Sequence, residues 1–162
     1  MAGAEIYQVI MKTKLMFLLC VLPVIAAEPA GYKYWSAAEL KEFATTLAPK
    51  INAQKIAAVR LNDFGNHYAM VAHREASGEA ELHETESDLL VISSGTATLT
   101  VGGTISNGKT TGPGEVRGPS IEGGSKQKLS AGDVVHIPPK TPHQLALDAG
   151  EQFTYFIMKI KE

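Results

Sequence analysis

From Ile56 to the C-terminus the chain is a succession of short β-prone runs closed by turn residues. Ile56–Asp63 and Tyr68–Glu75 are separated by Gly65-Asn66. Glu79–His83, Leu89–Ser93 and Thr96–Val101 follow, and Gly132–Pro138, Gln144–Leu147 and Gln152–Lys159 close the chain. Runs of this length, punctuated so often, are strands, and such short connections make neighbouring strands antiparallel. Eight or more of them is the count of a closed barrel or jelly roll, so the pattern predicts an all-β domain. Residues 102–124 hold eight of the fifteen glycines, which predicts a long, turn-rich excursion, a hairpin lengthened at the barrel mouth. It lacks the GxxxxGK[ST] spacing of a phosphate loop. Long ordered loops often contact substrates, which makes Arg117 and Glu122 candidates for that role.

Ahead of the strands, Ser36-Ala37-Ala38-Glu39 is a capping box. Leu40, Phe43, Leu47 and Ile51 continue it at helical spacing, with Pro49 as a break. One or two short helices are expected between residues 36 and 54. Further upstream, Lys12 and Lys14 precede the apolar run from Leu15 to Ala27, which ends in small residues. This is the pattern of a secretory signal peptide, with cleavage after Ala26 or Ala27 and Met11 as a second start. The run is short for a membrane span of about 20 residues. The division expected is a signal peptide at 1–27, a helical extension at 28–54 and a barrel at 55–162. The protein is then exported, periplasmic or secreted, and meets a membrane only through an uncleaved leader.

Composition narrows the function. The net charge is -2 and Lys/Arg do not cluster, so nucleic acid is not an expected partner. The single cysteine, Cys20, lies in the leader, which excludes an internal disulfide and a thiol nucleophile in the mature chain. No Gly-x-Ser-x-Gly is present for serine hydrolysis.

Two segments carry chemistry. In Glu79-Ala80-Glu81-Leu82-His83, alternation sets Glu79, Glu81 and His83 on one face. That is also how a solvated sheet face reads. The second segment, Gly132-Asp133-Val134-Val135-His136-Ile137-Pro138-Pro139-Lys140-Thr141-Pro142-His143, is a turn, an apolar strand, a proline-rich turn and a histidine that opens the next strand. It resembles the second motif of the cupin superfamily: Gly132, five residues, Pro138, then His143. The end of the first motif is matched by Asp88, six residues and Gly95. Counting back from Asp88 sets His83 at that motif's second histidine and Glu81 at its first. The resemblance covers residues 65–160, as in single-domain bacterial cupins. It departs from the pattern at Glu81, Asp88, Lys140 and Leu147, which stand for histidine, glutamate, glycine and asparagine.

What the resemblance implies is a double-stranded β-helix, the cupin jelly-roll barrel, with a short helical segment in front. Glu81, His83, Asp88 and His143 would then point into an apolar interior and hold a divalent transition metal: Mn, Fe, Ni or Zn. Asp88, one methylene short, completes the set or leaves its place to water. His136 is expected to pack on the opposite face, His67 to lie on the surface, and His73 to support the site from behind. Tyr32, Tyr34 and Trp35 form an aromatic cluster that covers a core edge or a partner patch. The resemblance allows a metalloenzyme of oxygenase, isomerase or lyase type acting on a small molecule. The alternative is a non-enzymatic module that binds a small ligand without metal. The sequence does not choose between them, and a homodimer through exposed strands is compatible with both.

Overall fold

Ser36 starts the helix in the expected way. Its hydroxyl accepts the Glu39 N–H at 3.2 Å, and the Glu39 carboxylate accepts the Ser36 N–H at 2.7 Å. Two of the free donors at the helix start are thereby satisfied. Helix α1 (Ala37–Leu47) follows, and Pro49 turns the chain into one 3-10 turn at Ala48–Lys50. The structure is a computed structural model that describes residues 27–162. The expected leader, apart from Ala27, lies outside the described residues. Lys33–Glu162 form one unit.

Twelve strands follow: β1 (Ile56–Asp63), β2 (His67–Arg74), β3 (Ala80–His83), β4 (Glu86–Val101), β5 (Thr104–Ser106), β6 (Lys109–Gly112), β7 (Glu115–Gly118), β8 (Ser120–Glu122), β9 (Ser125–Ser130), β10 (Val134–Ile137), β11 (His143–Ala146) and β12 (Phe153–Lys161). Ten of them make one antiparallel sheet in the order β1-β2-β12-β4-β11-β3-β7-β6, with β9 and β10 also on β4; β5 and β8 form a separate ribbon. The 16-residue β4 joins the two halves. Its first part pairs with β12 and β10, and its second with β9 and β11. The curled sheet is the jelly-roll barrel that the motif resemblance implied.

The corner of β4 explains one glycine. Gly95 has φ +80°, and a Cβ there would run into the carbonyl oxygen of Gln152. The register against β12 shifts between Thr154 and Tyr155, leaving Ser93 as an extra residue. A bulge followed by a left-handed glycine bends the strand without ending it. Two strands were expected where β4 is one.

Alternation sorts the apolar residues into two clusters. Leu90, Ile92, Leu99, Ile137, Leu145, Phe153, Tyr155 and Ile157 fill the barrel. Ala57, Ala69, Val71 and Phe156 face outward, where α1 covers them with Leu47, Leu40 and Phe43. Trp35 joins this outer cluster, its ring 5.3 Å from that of Phe156, while Tyr34 is exposed.

The glycine-rich stretch, expected as a turn-rich excursion that lengthens a hairpin at the barrel mouth, forms four short strands, β5 to β8. β9 went unread because Ser125-Lys126-Gln127-Lys128-Leu129-Ser130 is a polar strand with only Leu129 buried. Such an edge is guarded by lysines and carries little hydrophobic signal.

Candidate metal centre

The site is built from residues that face one another across strands. Glu81 and His83 are two apart on β3. His143, the first residue of β11, pairs with Glu81. On the other side of β3, Arg117 pairs with Glu81 and Glu115 with His83, both from β7. Lys159 on β12 pairs with Asp88 on β4. All seven line one cavity of about 400 Å³.

The histidine rings lie 5.2 Å apart, centroid to centroid. Glu81, His83 and His143 each offer a ligand atom within 4.8 Å of the others. Asp88 stands beside them, its Oδ2 3.5 Å from Nε2 of each histidine. Glu81 Oε1 is likewise 3.5 Å from His143 Nε2. His83, His143 and Asp88 are each 4% exposed, so their charges and lone pairs are largely out of reach of bulk water.

The outer partners set which ring nitrogens face inward. His83 Nδ1 donates to Glu115 at 2.6 Å, and His143 Nδ1 donates to the Thr141 carbonyl at 3.0 Å. Both Nε2 atoms are thereby aimed at the cavity. An imidazole held through its far nitrogen by a carboxylate or a carbonyl is the arrangement metal-binding histidines adopt. His143 Nε2 is buried with no hydrogen-bond partner among the described residues. Two inward imidazole nitrogens and a carboxylate oxygen are donors that first-row transition metals select, so the residues fit such an ion.

Charge in the site is finely balanced. Burial pushes Glu81 up, but His143, Arg117 and Lys159 outweigh it and bring its pKa down to about 2. Burial also opposes ionisation of Asp88, yet His143, His83 and Lys159 hold it well below the usual carboxylate range. His143 is lowered by burial and raised more strongly by Asp88 and Glu81, to about 9. Both carboxylates are therefore anionic at neutral pH and draw in cations.

Three cations already answer them, the first being His143, protonated at neutral pH and 3.5 Å from an oxygen of each. Arg117 donates to Glu81 at 2.6 Å. Lys159 Nζ lies 2.6 Å from Asp88 Oδ1 and 2.6 Å from His83 Nε2. Since His83 Nδ1 carries the proton shared with Glu115, its Nε2 accepts from the ammonium.

Of the residues singled out from sequence, Glu81, His83, Asp88 and His143 come together. Arg117 also reaches the site. Glu122 does not: it bonds to the Ser106 hydroxyl outside the cavity. His136 faces away from the cavity as expected, but it is exposed and not packed. His73 does not support the site. It is fully buried on the outer face of β2, bonded to the Thr154 hydroxyl at 2.8 Å, because alternation turns Ala72 and Arg74 inward instead. His67 stacks on Phe64 at 4.6 Å and bonds to Asn66, partly buried at the start of β2. Lys159, Glu115 and Arg74 were not anticipated. Lys159 shares an inward face with Tyr155 and Ile157, but both faces of β12 are apolar, so alternation showed no inside.

No protein-family model matches the chain, and no curated protein matches it in sequence. Solved structures do resemble it. TT1209 from Thermus thermophilus aligns over 72% of this chain and 93% of its own, at 11% identity and a TM-score of 0.52. A cupin-2 domain from Rhodospirillum rubrum covers 67% of this chain and 62% of its own, at 15% identity and TM-score 0.49. A cupin 2 conserved barrel domain protein from Salinispora arenicola covers 67% and 77%, at 18% and 0.47. At such identities the likeness concerns the fold alone.

Proposed function

We propose that this chain is a cupin whose barrel binds one first-row transition metal through Glu81, His83 and His143, beside a cavity for a small molecule. The observation that carries this reading is the pair of inward Nε2 atoms, each fixed from behind, converging with Glu81 within 4.8 Å. When bound, the ion would supply Lewis-acid or oxygen chemistry at its open positions. The chain's own contribution is separate. Glu115 keeps the proton of His83 on Nδ1, Arg117 orients Glu81, and Lys159 holds a proton between Asp88 and His83. Apolar walls from Leu90, Leu99, Ile137 and Ile157 limit water around these groups.

A second reading rests on Lys159. Its ammonium already satisfies His83 and Asp88, so it is a resident cation, and the barrel would then serve as a binding module without metal.

Metal titration of chelator-treated protein with Mn(II), Fe(II), Ni(II) and Zn(II) tests the first reading. About one equivalent per chain is expected, as a single mixed N/O site takes. His143→Ala should lose it, and His136→Ala should bind as the wild type does. Equal loss in both variants, or no uptake of any of the four ions by the wild type, would sink the metal reading.

A further inference from the structure

Most charged groups of the cavity lie against an opposite charge, and Glu86 has only a hydroxyl. Glu81 pairs with Arg117, Asp88 with Lys159, Glu115 with His83 and Arg117, and Glu86 accepts from the Tyr68 hydroxyl at 3.3 Å. Arg74 also lines the cavity, and among the described residues no carboxylate forms an ion pair with it. Its Nε donates to the Tyr155 hydroxyl at 2.9 Å. A guanidinium is always charged and carries five N–H donors in a planar fork, and that contact uses one of them.

We infer that Arg74, held in place by Tyr155, anchors the anionic group of the molecule the barrel takes, and that this molecule is a small organic monocarboxylate. This rests on the reading of the cavity as a small-molecule site. A partly buried cation without a counter-charge is unfavourable, and a bound anion offsets that cost. One guanidinium with its fork free seats one carboxylate group. A planar fork fits the two oxygens of a carboxylate. The neighbouring wall of Ile56, Met70, Leu145 and Ile157 accepts an apolar body, and about 400 Å³ is the size of a small-molecule pocket.

Gly78 fixes where the fork lies. A Cβ on that residue would stand 2.8 Å from Arg74 Nη1 and 2.9 Å from Cζ. Gly78→Ala therefore displaces the guanidinium without touching the residues of the metal centre.

Hexanoate and its neutral isostere hexanamide are suitable probes, titrated calorimetrically into the full chain with and without Zn(II). The wild type should bind hexanoate at least about tenfold more tightly than hexanamide, the size of effect a charge-assisted hydrogen-bond pair gives. Arg74→Gln should abolish that preference, Arg74→Lys should keep part of it, and Gly78→Ala should weaken it without lowering the melting temperature. Equal affinity for the two probes, no binding of hexanoate, or a preference that survives Arg74→Gln overturns the inference. A preference that needs Zn(II) and survives Arg74→Gln locates the carboxylate on the metal, which overturns the anchor and leaves the metal reading intact. A preference lost in Arg74→Gln, in a protein that takes up no metal, supports the anchor and removes the metal reading.

Discussion

Lys159 is the residue on which the chemistry of this barrel turns. Its ammonium takes the lone pair of His83 Nε2 and one oxygen of Asp88, so an ion at the centre has to displace it. Lys159→Met keeps the apolar stem and removes the charge. Metal affinity should then rise by about tenfold or more, ~1.4 kcal/mol. The metal-free variant should be less stable by about 3 kcal/mol, because Asp88 is left buried without its cation. Zn(II) should recover that loss through ligand linkage. Calorimetry and thermal melts with and without Zn(II) check both signs, and a fall in affinity would mean that the lysine supports the ion and does not compete with it. Glu115 acts one bond further out. Glu115→Gln weakens its hold on His83 Nδ1 and should cost about 10–100-fold in metal affinity with the fold retained, the usual effect of losing such a support. The four residues named from motif spacing were legible because the spacing within β3 and β4, and from Gly132 to His143 at the start of β11, is local information. Lys159 and Glu115 reach them by cross-strand register with β12 and β7, which no single segment of sequence displays.

At the scale of elements, Gly95 decides whether β4 can serve both halves of the sheet. Gly95→Ala should cost at least about 2 kcal/mol, since it adds a clash with the Gln152 carbonyl to left-handed backbone strain. Gly132, with φ +95° and open space around it, provides the control: Gly132→Ala should cost about 1 kcal/mol, from backbone strain alone. Denaturant midpoints of the two variants measure the difference, and equal losses would mean that the corner tolerates a side chain. The helix was legible because a capping box and a proline state its two ends locally. β1 was legible to the residue because its polar ends and the Gly65-Asn66 turn bound it. β12 was legible as a strand but not as a two-faced one: Phe156 lies under α1 and Tyr155 inside the barrel, so both faces are apolar. Between residues 102 and 124 a lengthened hairpin was legible but its four strands were not, because glycine-rich strands of three or four residues have the composition of turns.

Across the whole molecule, stability and chemistry are housed on opposite faces of the β1-β2-β12 part of the sheet. The outer face belongs to α1, where Leu47 is 4% exposed, and the inner face belongs to the cavity. Leu47→Ala should therefore cost about 2–4 kcal/mol of stability, as buried leucine truncations do, while metal and carboxylate binding stay unchanged at temperatures where the variant is folded. Thermal melts paired with calorimetry at 10–15 degrees below the variant's midpoint (roughly the range that avoids partial unfolding) read out both. The metal reading of the barrel stands on where the ion sits. Anomalous diffraction at the zinc edge from crystals soaked in Zn(II) locates it directly. One peak per chain is expected, about 2.0–2.2 Å from Nε2 of His83, Nε2 of His143 and an oxygen of Glu81, with Lys159 Nζ moved off His83. A barrel without a peak there, with Lys159 still bonded to His83 and Asp88, would contradict the metal reading.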